Sequence, residues 1–163
     1  MVEKLSNKAK LSFRQMEILV YMALGCSYKE TAHFLGISVL TFRTYLHQVL
    51  EELGAKGRAH AVVLALLKGF LDLETLENLD SPEELEVDWE LGPLVEQILT
   101  LVALGYHNRD IGRVLNYSER YVRNIVHVIS NKLGARNRVH LITLSLIQRK
   151  LDFQDLRMDM AIE

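Results

Sequence analysis

The sequence predicts an all-α protein built from two tandem four-helix modules. Three observations support this: the chain repeats itself, its apolar residues recur at helical spacing, and helix start and stop residues fall at matching places in both copies. Residues 11–76 align on 91–156 without a gap and give 20 identities in 66 positions. A constant offset of 80 residues over that length indicates one structural unit used twice.

The repeat and the charge distribution set the predicted domain limits. We predict a first module over 1–71, an acidic linker over 72–90 and a second module over 91–163 that ends in a short acidic tail. The net charge of −2 is unevenly distributed along the chain. Residues 11–71 carry +2 and 91–151 carry +6, whereas 72–90 carry −9. Basic modules beside acidic connectors indicate a negatively charged partner for the modules.

The first predicted helix of each module has clear end signals. It opens in the first copy with Ser12 and Gln15, which have the spacing of a capping box, and in the second with Pro93 in its first turn. It closes at Gly25 in one copy and at Gly105 in the other, because glycine best adopts the left-handed conformation that ends a helix.

The second and third predicted helices form a helix-turn-helix. The second opens at Ser27, with Glu30 three residues later as in a capping box, and stops at Gly36 or, in the other copy, at Asn116. Asparagine tolerates a left-handed backbone better than other side chains, so both copies can make the same tight turn. Ser38 and Ser118 then cap the third helix, and two helices joined by such a short turn are typical of a helix-turn-helix.

Several short motifs carry a family resemblance. They are L-S-x-R-Q-x-E at 11–17, G-x-S-x-K-E-x-A at 25–32, L-G-I-S at 35–38, T-F-R at 41–43 and L-G-A-x-x-R at 53–58. This pattern is similar to the LuxR/GerE-type DNA-binding domain of bacterial transcription regulators. The resemblance covers about 11–71 and 91–151 and is looser in the second copy, which lacks the opening motif. It implies a four-helix module that binds double-stranded DNA through its third helix.

The third helix has one apolar face and one polar face. Phe42, Val49 and Leu53 mark the inward stripe of the first copy, and the second copy repeats this stripe 80 residues later. The residues predicted on the opposite face are Arg43, Thr44, His47, Arg123, Asn124 and His127. Arginine pairs with guanine and asparagine with adenine, and the resemblance implies DNA contact at these same positions.

Basic residues near helix ends are the predicted contacts to the DNA backbone. They are Lys29, Arg109, Lys56, Lys132 and Arg136. Arg58 and Arg138 are instead predicted to make structural hydrogen bonds to backbone carbonyls. Where the second copy has Lys132, the first copy has Glu52, and a carboxylate repels phosphate. We therefore expect 91–151 to be the principal DNA-binding module.

The fourth predicted helix of each copy is apolar on more than one face. A helix of this kind needs burial on all sides, which a module of about 60 residues cannot supply alone. Two arrangements satisfy it: the fourth helices pack on each other within the chain as a covalent pseudo-dimer, or they pair two chains as a homodimer.

Other functional classes find little support. The spacing of histidines and of the single Cys26 fits no metal site, and the sequence contains no phosphate loop, nucleophile motif or cofactor motif, so we expect no enzyme activity. No apolar stretch is long enough for a membrane span, and one cysteine favours a reducing, cytoplasmic setting. The leading hypothesis is a sequence-specific DNA-binding transcription regulator. The alternative is a protein-interaction module that binds another regulator or RNA polymerase.

Overall fold

The computed structural model describes residues 10–80 and 92–161, and every regular element in these ranges is an α-helix. The first module contains α1 (Phe13–Ala23), α2 (Tyr28–Phe34), α3 (Val39–Leu53), α4 (Arg58–Leu67) and α5 (Leu73–Asp80). The second module contains α6 (Pro93–Ala103), α7 (Asn108–Leu115), α8 (Glu119–Lys132), α9 (Arg138–Ile147) and α10 (Phe153–Ala161). The predicted all-α fold with two helix-turn-helix units is confirmed.

Each module carries one helix more than the sequence predicted. The fifth helices, α5 and α10, lie in the segments predicted as an acidic linker and an acidic tail. Both are held by a buried leucine, Leu76 in α5 and Leu156 in α10. Asp72 accepts hydrogen bonds from the backbone nitrogen and the hydroxyl of Thr75, both at 2.8 Å, and these bonds lower the pKa of its carboxyl. The acidic segment that begins at residue 72 was therefore predicted as a linker although it contains an amphipathic helix. Residues 81–90 of the predicted linker lie outside the described part.

The two modules share their hydrophobic cores through α4 and α9, which pack against each other. Ala59 and Val63 of α4 are buried in the cluster formed by the second module, and Val139 of α9 is buried in the cluster of the first. In α9 all residues from Val139 to Leu146 are buried. Neither fourth helix could be covered by its own module alone.

Contacts between the modules are reciprocal. Gly25, at the end of α1, lies against His140 of α9, and Gly105, at the end of α6, lies against His60 of α4. The Nδ1 atom of each histidine accepts a hydrogen bond at 3.1 Å from the backbone nitrogen four residues earlier. In both contacts the glycine of one module meets the histidine of the other. Reciprocal contacts of this kind indicate that the two modules are related by an approximate two-fold axis.

One further contact between the modules is a hydrogen bond between two side chains. Because Nδ1 of His140 accepts a hydrogen bond, the ring hydrogen lies on Nε2, which donates to the Asp80 carboxylate at 2.7 Å. Both side chains are buried, at 4% and 9% exposure. Met160 stands at the equivalent position of the repeat, so the carboxylate of this bond is not repeated in the sequence. The bond ties α5 of the first module to α9 of the second.

Thr31, in α2, is a buried polar residue whose hydroxyl has no hydrogen-bond partner in the described residues. The side chain is fully buried, and the second module has Ile111 at the equivalent position, also fully buried. An unpaired buried hydroxyl costs about 1–3 kcal/mol.

We expect Thr31→Val to raise the free energy of unfolding by about 1 kcal/mol, because it removes an unpaired hydroxyl without changing the side-chain volume. Urea denaturation followed by circular dichroism measures the change. Thr143→Val is the matched control, since Thr143 is equally buried but its hydroxyl lies 3.4 Å from the Val139 carbonyl. A loss of stability in Thr31→Val would show that the hydroxyl is satisfied.

A second pair of variants tests the close approach of the two modules. Gly25 and Gly54 both have a left-handed backbone, with φ of 79° and 67°. A Cβ atom at Gly25 would lie 2.8 Å from His140, whereas one at Gly54 would meet nothing within 4 Å. We expect Gly54→Ala to cost about 1 kcal/mol from backbone strain alone, and Gly25→Ala to cost about 1–3 kcal/mol more. Equal shifts of the urea midpoint would contradict the observed interface.

Candidate nucleic-acid interface

The candidate interface is built on α3 and α8, the third helices of the two modules. Each starts at a serine cap: the Ser38 hydroxyl accepts from the Thr41 backbone nitrogen at 3.0 Å, and the Ser118 hydroxyl accepts from that of Tyr121 at 3.1 Å. These caps satisfy a backbone donor that the first helical turn leaves open, so both helices begin at equivalent residues.

The inward face of each helix is an apolar stripe that fixes which side chains point out. Phe42, Leu46, Val49 and Leu53 of α3 are buried in the core of the first module. In α8, Val122 and Ile129 are buried, followed by Leu133 just after the helix. The residues between these positions therefore lie on the opposite side.

The six side chains predicted to contact bases are all exposed: Arg43, Thr44 and His47 on α3, and Arg123, Asn124 and His127 on α8. The repeat thus presents an arginine and a histidine at the same exposed positions of two equivalent helices. Their contact with DNA stays a prediction.

The two arginines differ in their surroundings. Arg43 makes no hydrogen bond or ion pair with residues in the described ranges, whereas the Arg123 guanidinium donates to the Glu119 carboxylate at 2.7 Å. Both partners of that pair are largely exposed, at 63% and 46%. An exposed pair of this kind contributes at most about 1 kcal/mol, so Arg123 can leave Glu119 for another acceptor at small cost.

The two histidines also have local partners. Nδ1 of His47 lies 3.3 Å from the Glu51 carboxylate, and Nε2 of His127 lies 3.2 Å from the Asn131 side-chain nitrogen. Each pair is exposed and four residues apart on one helix, a spacing that brings side chains together. Both histidines lie one turn beyond the arginine that precedes them.

The carboxylates at the end of α3 have defined roles within the first module. Glu51 faces His47, and the Glu52 carboxylate accepts a hydrogen bond from the Lys10 backbone nitrogen at 2.7 Å. Glu52 therefore fixes the chain just before α1, while its counterpart Lys132 is an exposed cation. The two helices thus differ in charge at their C-terminal ends.

The predicted backbone contacts fall into two groups. Lys29 and Arg109 are exposed at the second residue of α2 and α7, beside the free backbone nitrogens of a helix start. Lys56 and Arg136 are exposed too but lie at the boundary between the modules. Nζ of Lys56 is 5.3 Å from the centre of the Tyr106 ring. Burial raises the pKa of the Cys26 thiol, and the nearby positive charge of Arg136 partly offsets this increase.

Arg58 and Arg138, which correspond in the repeat, contact their own modules. Arg138 donates to the Asn108 side chain at 2.7 Å and to the Tyr106 carbonyl at 2.5 Å. The predicted bond to a backbone carbonyl is therefore present, and burial lowers the pKa of this guanidinium. Arg58 instead lies over the Tyr28 ring, 4.8 Å from its centre.

Sequence reasoning missed several residues at the start of the two helices. Glu119 was not singled out, although its spacing of four residues from Arg123 signals an ion pair. Tyr117 and Tyr121 stack with ring centres 4.9 Å apart and are both about two-fifths exposed. Leu40 is 74% exposed in the first turn of α3. Periodicity alone could not reveal the stacked tyrosines or the exposure of Leu40, since these depend on how the turn places each side chain.

Two kinds of site are absent from the described residues. Across 10–80 and 92–161, no group of three or more histidine, cysteine or carboxylate side chains could hold a metal ion. No helix in that part of the chain is long and apolar enough to cross a membrane.

A family model decides which group of proteins contains this chain. The model described as bacterial regulatory proteins, luxR family, matches residues 9–65 and 96–145, more than half of the chain. The chain belongs to this family. Both matched segments include a complete helix-turn-helix, so each module of the LuxR-family chain carries the family's signature independently.

The LuxR-family chain is similar to several bacterial regulators. It is 32% identical over 73 residues to the transcriptional regulatory protein YdfI of Bacillus subtilis, with 45% of this chain and 34% of that protein covered. It is 37% identical over 68 residues to the HTH-type transcriptional activator RamA of Corynebacterium glutamicum, with 42% of this chain and 24% of RamA covered.

A third relative is short. The spore germination protein GerE of Bacillus subtilis is 34% identical over 71 residues, with 44% of this chain and 96% of GerE covered. The chain thus spans about a third or less of YdfI and RamA but nearly all of GerE. No solved structure matches it.

Arg138 and Arg58 occupy equivalent positions, and substituting each tests whether its contacts stabilise the fold. We expect Arg138→Gln to lower the free energy of unfolding by about 2–3 kcal/mol, because it removes two charge-assisted hydrogen bonds to half-buried acceptors. Arg58→Gln should cost less than about 1 kcal/mol, since it loses only an exposed contact with an aromatic ring. Urea denaturation measures both, and equal costs would contradict the assignment.

Proposed function

We propose that this protein is a transcription regulator that binds double-stranded DNA sequence-specifically through α3 and α8. The observation that carries the proposal is the repeated outer face of these helices, which presents an arginine and a histidine at equivalent exposed positions in both modules. Membership of the LuxR family and the names of the relatives, which include a transcriptional activator, support the same function.

Base recognition in this proposal follows from the outward side chains. Arg43 and Arg123 are suited to guanine, because a guanidinium donates two hydrogen bonds to the acceptors on its major-groove edge. Asn124 is suited to adenine, whereas Thr44 at the equivalent position is less selective. We therefore expect two related half-sites that differ mainly at the base pairs contacted by Thr44 and Asn124.

Backbone binding in this proposal uses charges around the two helices. Lys29 and Arg109 lie at helix starts, where backbone nitrogens and a positive side chain together attract phosphate. Lys132 adds a third cation at the C-terminal end of α8, whereas the first module has Glu52 at that position. We propose that the second module supplies most of the affinity through its net charge of +6 over 91–151, against +2 over 11–71.

We further propose that the tandem modules act on DNA as a covalent pseudo-dimer. Support comes from the packing of α4 on α9 and from the reciprocal contacts of Gly25 with His140 and of Gly105 with His60. A two-fold relation between two heads favours half-sites arranged as an inverted repeat rather than a direct repeat. Their centres would lie one helical turn of DNA apart, about 34–36 Å, or a multiple of it.

The proposed mechanism is binding without catalysis. DNA is the principal partner, and RNA polymerase or another regulator is a second partner that the bound protein would recruit or block. The alternative function, a helix-turn-helix module that binds only proteins, differs in its response to salt. Binding through phosphate contacts weakens steeply as salt rises, whereas association through apolar helices does not.

Selection from random DNA duplexes tests the function directly. We expect the intact protein to enrich a two-part inverted motif at low salt. Arg123→Ala should relax selectivity in one half by about 1–3 kcal/mol per contacted base pair, and Arg43→Ala should do so in the other half. Sequencing of the bound duplexes provides the motif, and a salt titration provides the number of phosphate contacts.

Arg14→Ala is the control for the loss of one positive charge. Arg14 lies on α1, where it pairs with Glu17 at 3.0 Å, and 41% of its side chain is exposed. This variant should keep the motif. Failure to enrich any motif, even at low salt, would overturn the DNA-binding proposal and favour the protein-interaction alternative. Retained affinity in Arg123→Ala with lost affinity in Arg43→Ala would reverse the proposed ranking of the modules.

A further inference from the structure

The second module has an open apolar groove on the side formed by α6, α7 and α10. Its volume is about 530 Å³, and its apolar walls include Leu101, Leu104, Val114 and Leu115. Val114 is 60% exposed there. The charged residues that line the groove are both acidic, Glu96 and Asp155.

The repeat explains why this groove is open. Leu101 and Val114 correspond to Tyr21 and Phe34 of the first module. There the two rings stack with their centres 5.4 Å apart, across the same pair of helices. Since leucine and valine are smaller than tyrosine and phenylalanine, the second module lacks two rings at this place, and their absence leaves the groove.

The first module therefore has an aromatic projection where the second has a groove. Phe34 is 58% exposed although it stacks on Tyr21, and Phe13 at the start of α1 is 74% exposed. We call the surface formed by Tyr21 and Phe34 the aromatic knob. His33 is exposed beside it, with its ring centre 6.0 Å from that of Phe34.

We propose that the groove of the second module binds the aromatic knob of another copy of this chain, so that copies associate head to tail. The groove lacks rings at positions 101 and 114, and the knob supplies the two that stand at the equivalent positions of the first module. The acidic side chains Glu96 and Asp155 complement His33, whose ring can donate a hydrogen bond to a carboxylate. A second copy is the occupant that fits, because every chain carries both the knob and the groove.

The proposed contact is heterologous, since it joins two different surfaces of the same chain. Each added copy leaves one knob and one groove unused at the ends, and the association can therefore continue beyond a dimer. The contact is also small and relies on one aromatic pair, so it is expected to be weak and dependent on protein concentration. It requires neither DNA nor the recognition residues of α3 and α8.

The repeat itself supplies the variants that test this proposal. Phe34→Val removes the knob by introducing the residue found in the second module, and Val114→Phe fills the groove with the residue found in the first. Both positions are exposed, so the folded core is retained, which circular dichroism and urea denaturation check. Leu40→Ala is the matched control, because Leu40 is an exposed apolar residue outside both surfaces.

Sedimentation velocity of the full chain, over a wide range of concentrations and without DNA, measures the association. We expect the wild-type protein and Leu40→Ala to form assemblies larger than a dimer as the protein concentration rises. Phe34→Val and Val114→Phe should each weaken this association at least about tenfold, the effect of losing about 1.4 kcal/mol.

A mixture of the two variants distinguishes this arrangement from other interfaces. Phe34→Val retains the groove, and Val114→Phe retains the knob, so together they should form a one-to-one complex that grows no further. A wild-type protein that stays monomeric would overturn the proposal. So would variants that associate like the wild type, or a mixture that remains monomeric.

Discussion

The structure depends on the shared burial of α4 and α9. Each is too apolar for a module of about 60 residues, whose small volume leaves one side of its last helix uncovered. Ala59 and Val63 complete the core of the second module, and Val139 completes that of the first. Because each core includes residues of the other module, the modules cannot separate without exposing apolar surface, and the orientation of α3 relative to α8 is set by this packing.

The repeat preserves backbone positions more strictly than chemistry. Gly25 and Gly105 approach equivalent histidines, and both histidines accept the same backbone hydrogen bond. The bond from His140 nevertheless goes to the Asp80 carboxylate, at a position where the second module has a methionine. A two-fold framework is thus combined with different side chains. In the functions proposed above, this combination gives two DNA-binding helices with unlike half-sites, and it makes two equivalent surfaces a knob and a groove.

The exposed faces of α3 and α8 likewise share a backbone arrangement but differ in their side-chain contacts. Burial of Phe42 and Val122 turns Arg43 and Arg123 outward in the same way, yet only Arg123 has a carboxylate partner one turn earlier. The C-terminal end of α3 has Glu51 and Glu52, which contact His47 and the chain before α1. The first module therefore has carboxylates with structural contacts at positions where the second module has an asparagine and a lysine.

Much of the fold could be predicted from the sequence, and so could the outward direction of the six candidate base contacts. Helical period and capping depend on residues within a few positions of one another, so Ser12, Ser27 and Ser38 mark helix starts without knowledge of the rest. Only the tertiary structure decided that α5 and α10 form, since their leucines need a distant core, and that Lys56 and Arg136 lie at the module boundary. The groove beside Val114 likewise depends on side chains that are far apart in the chain, and no local pattern records such contacts.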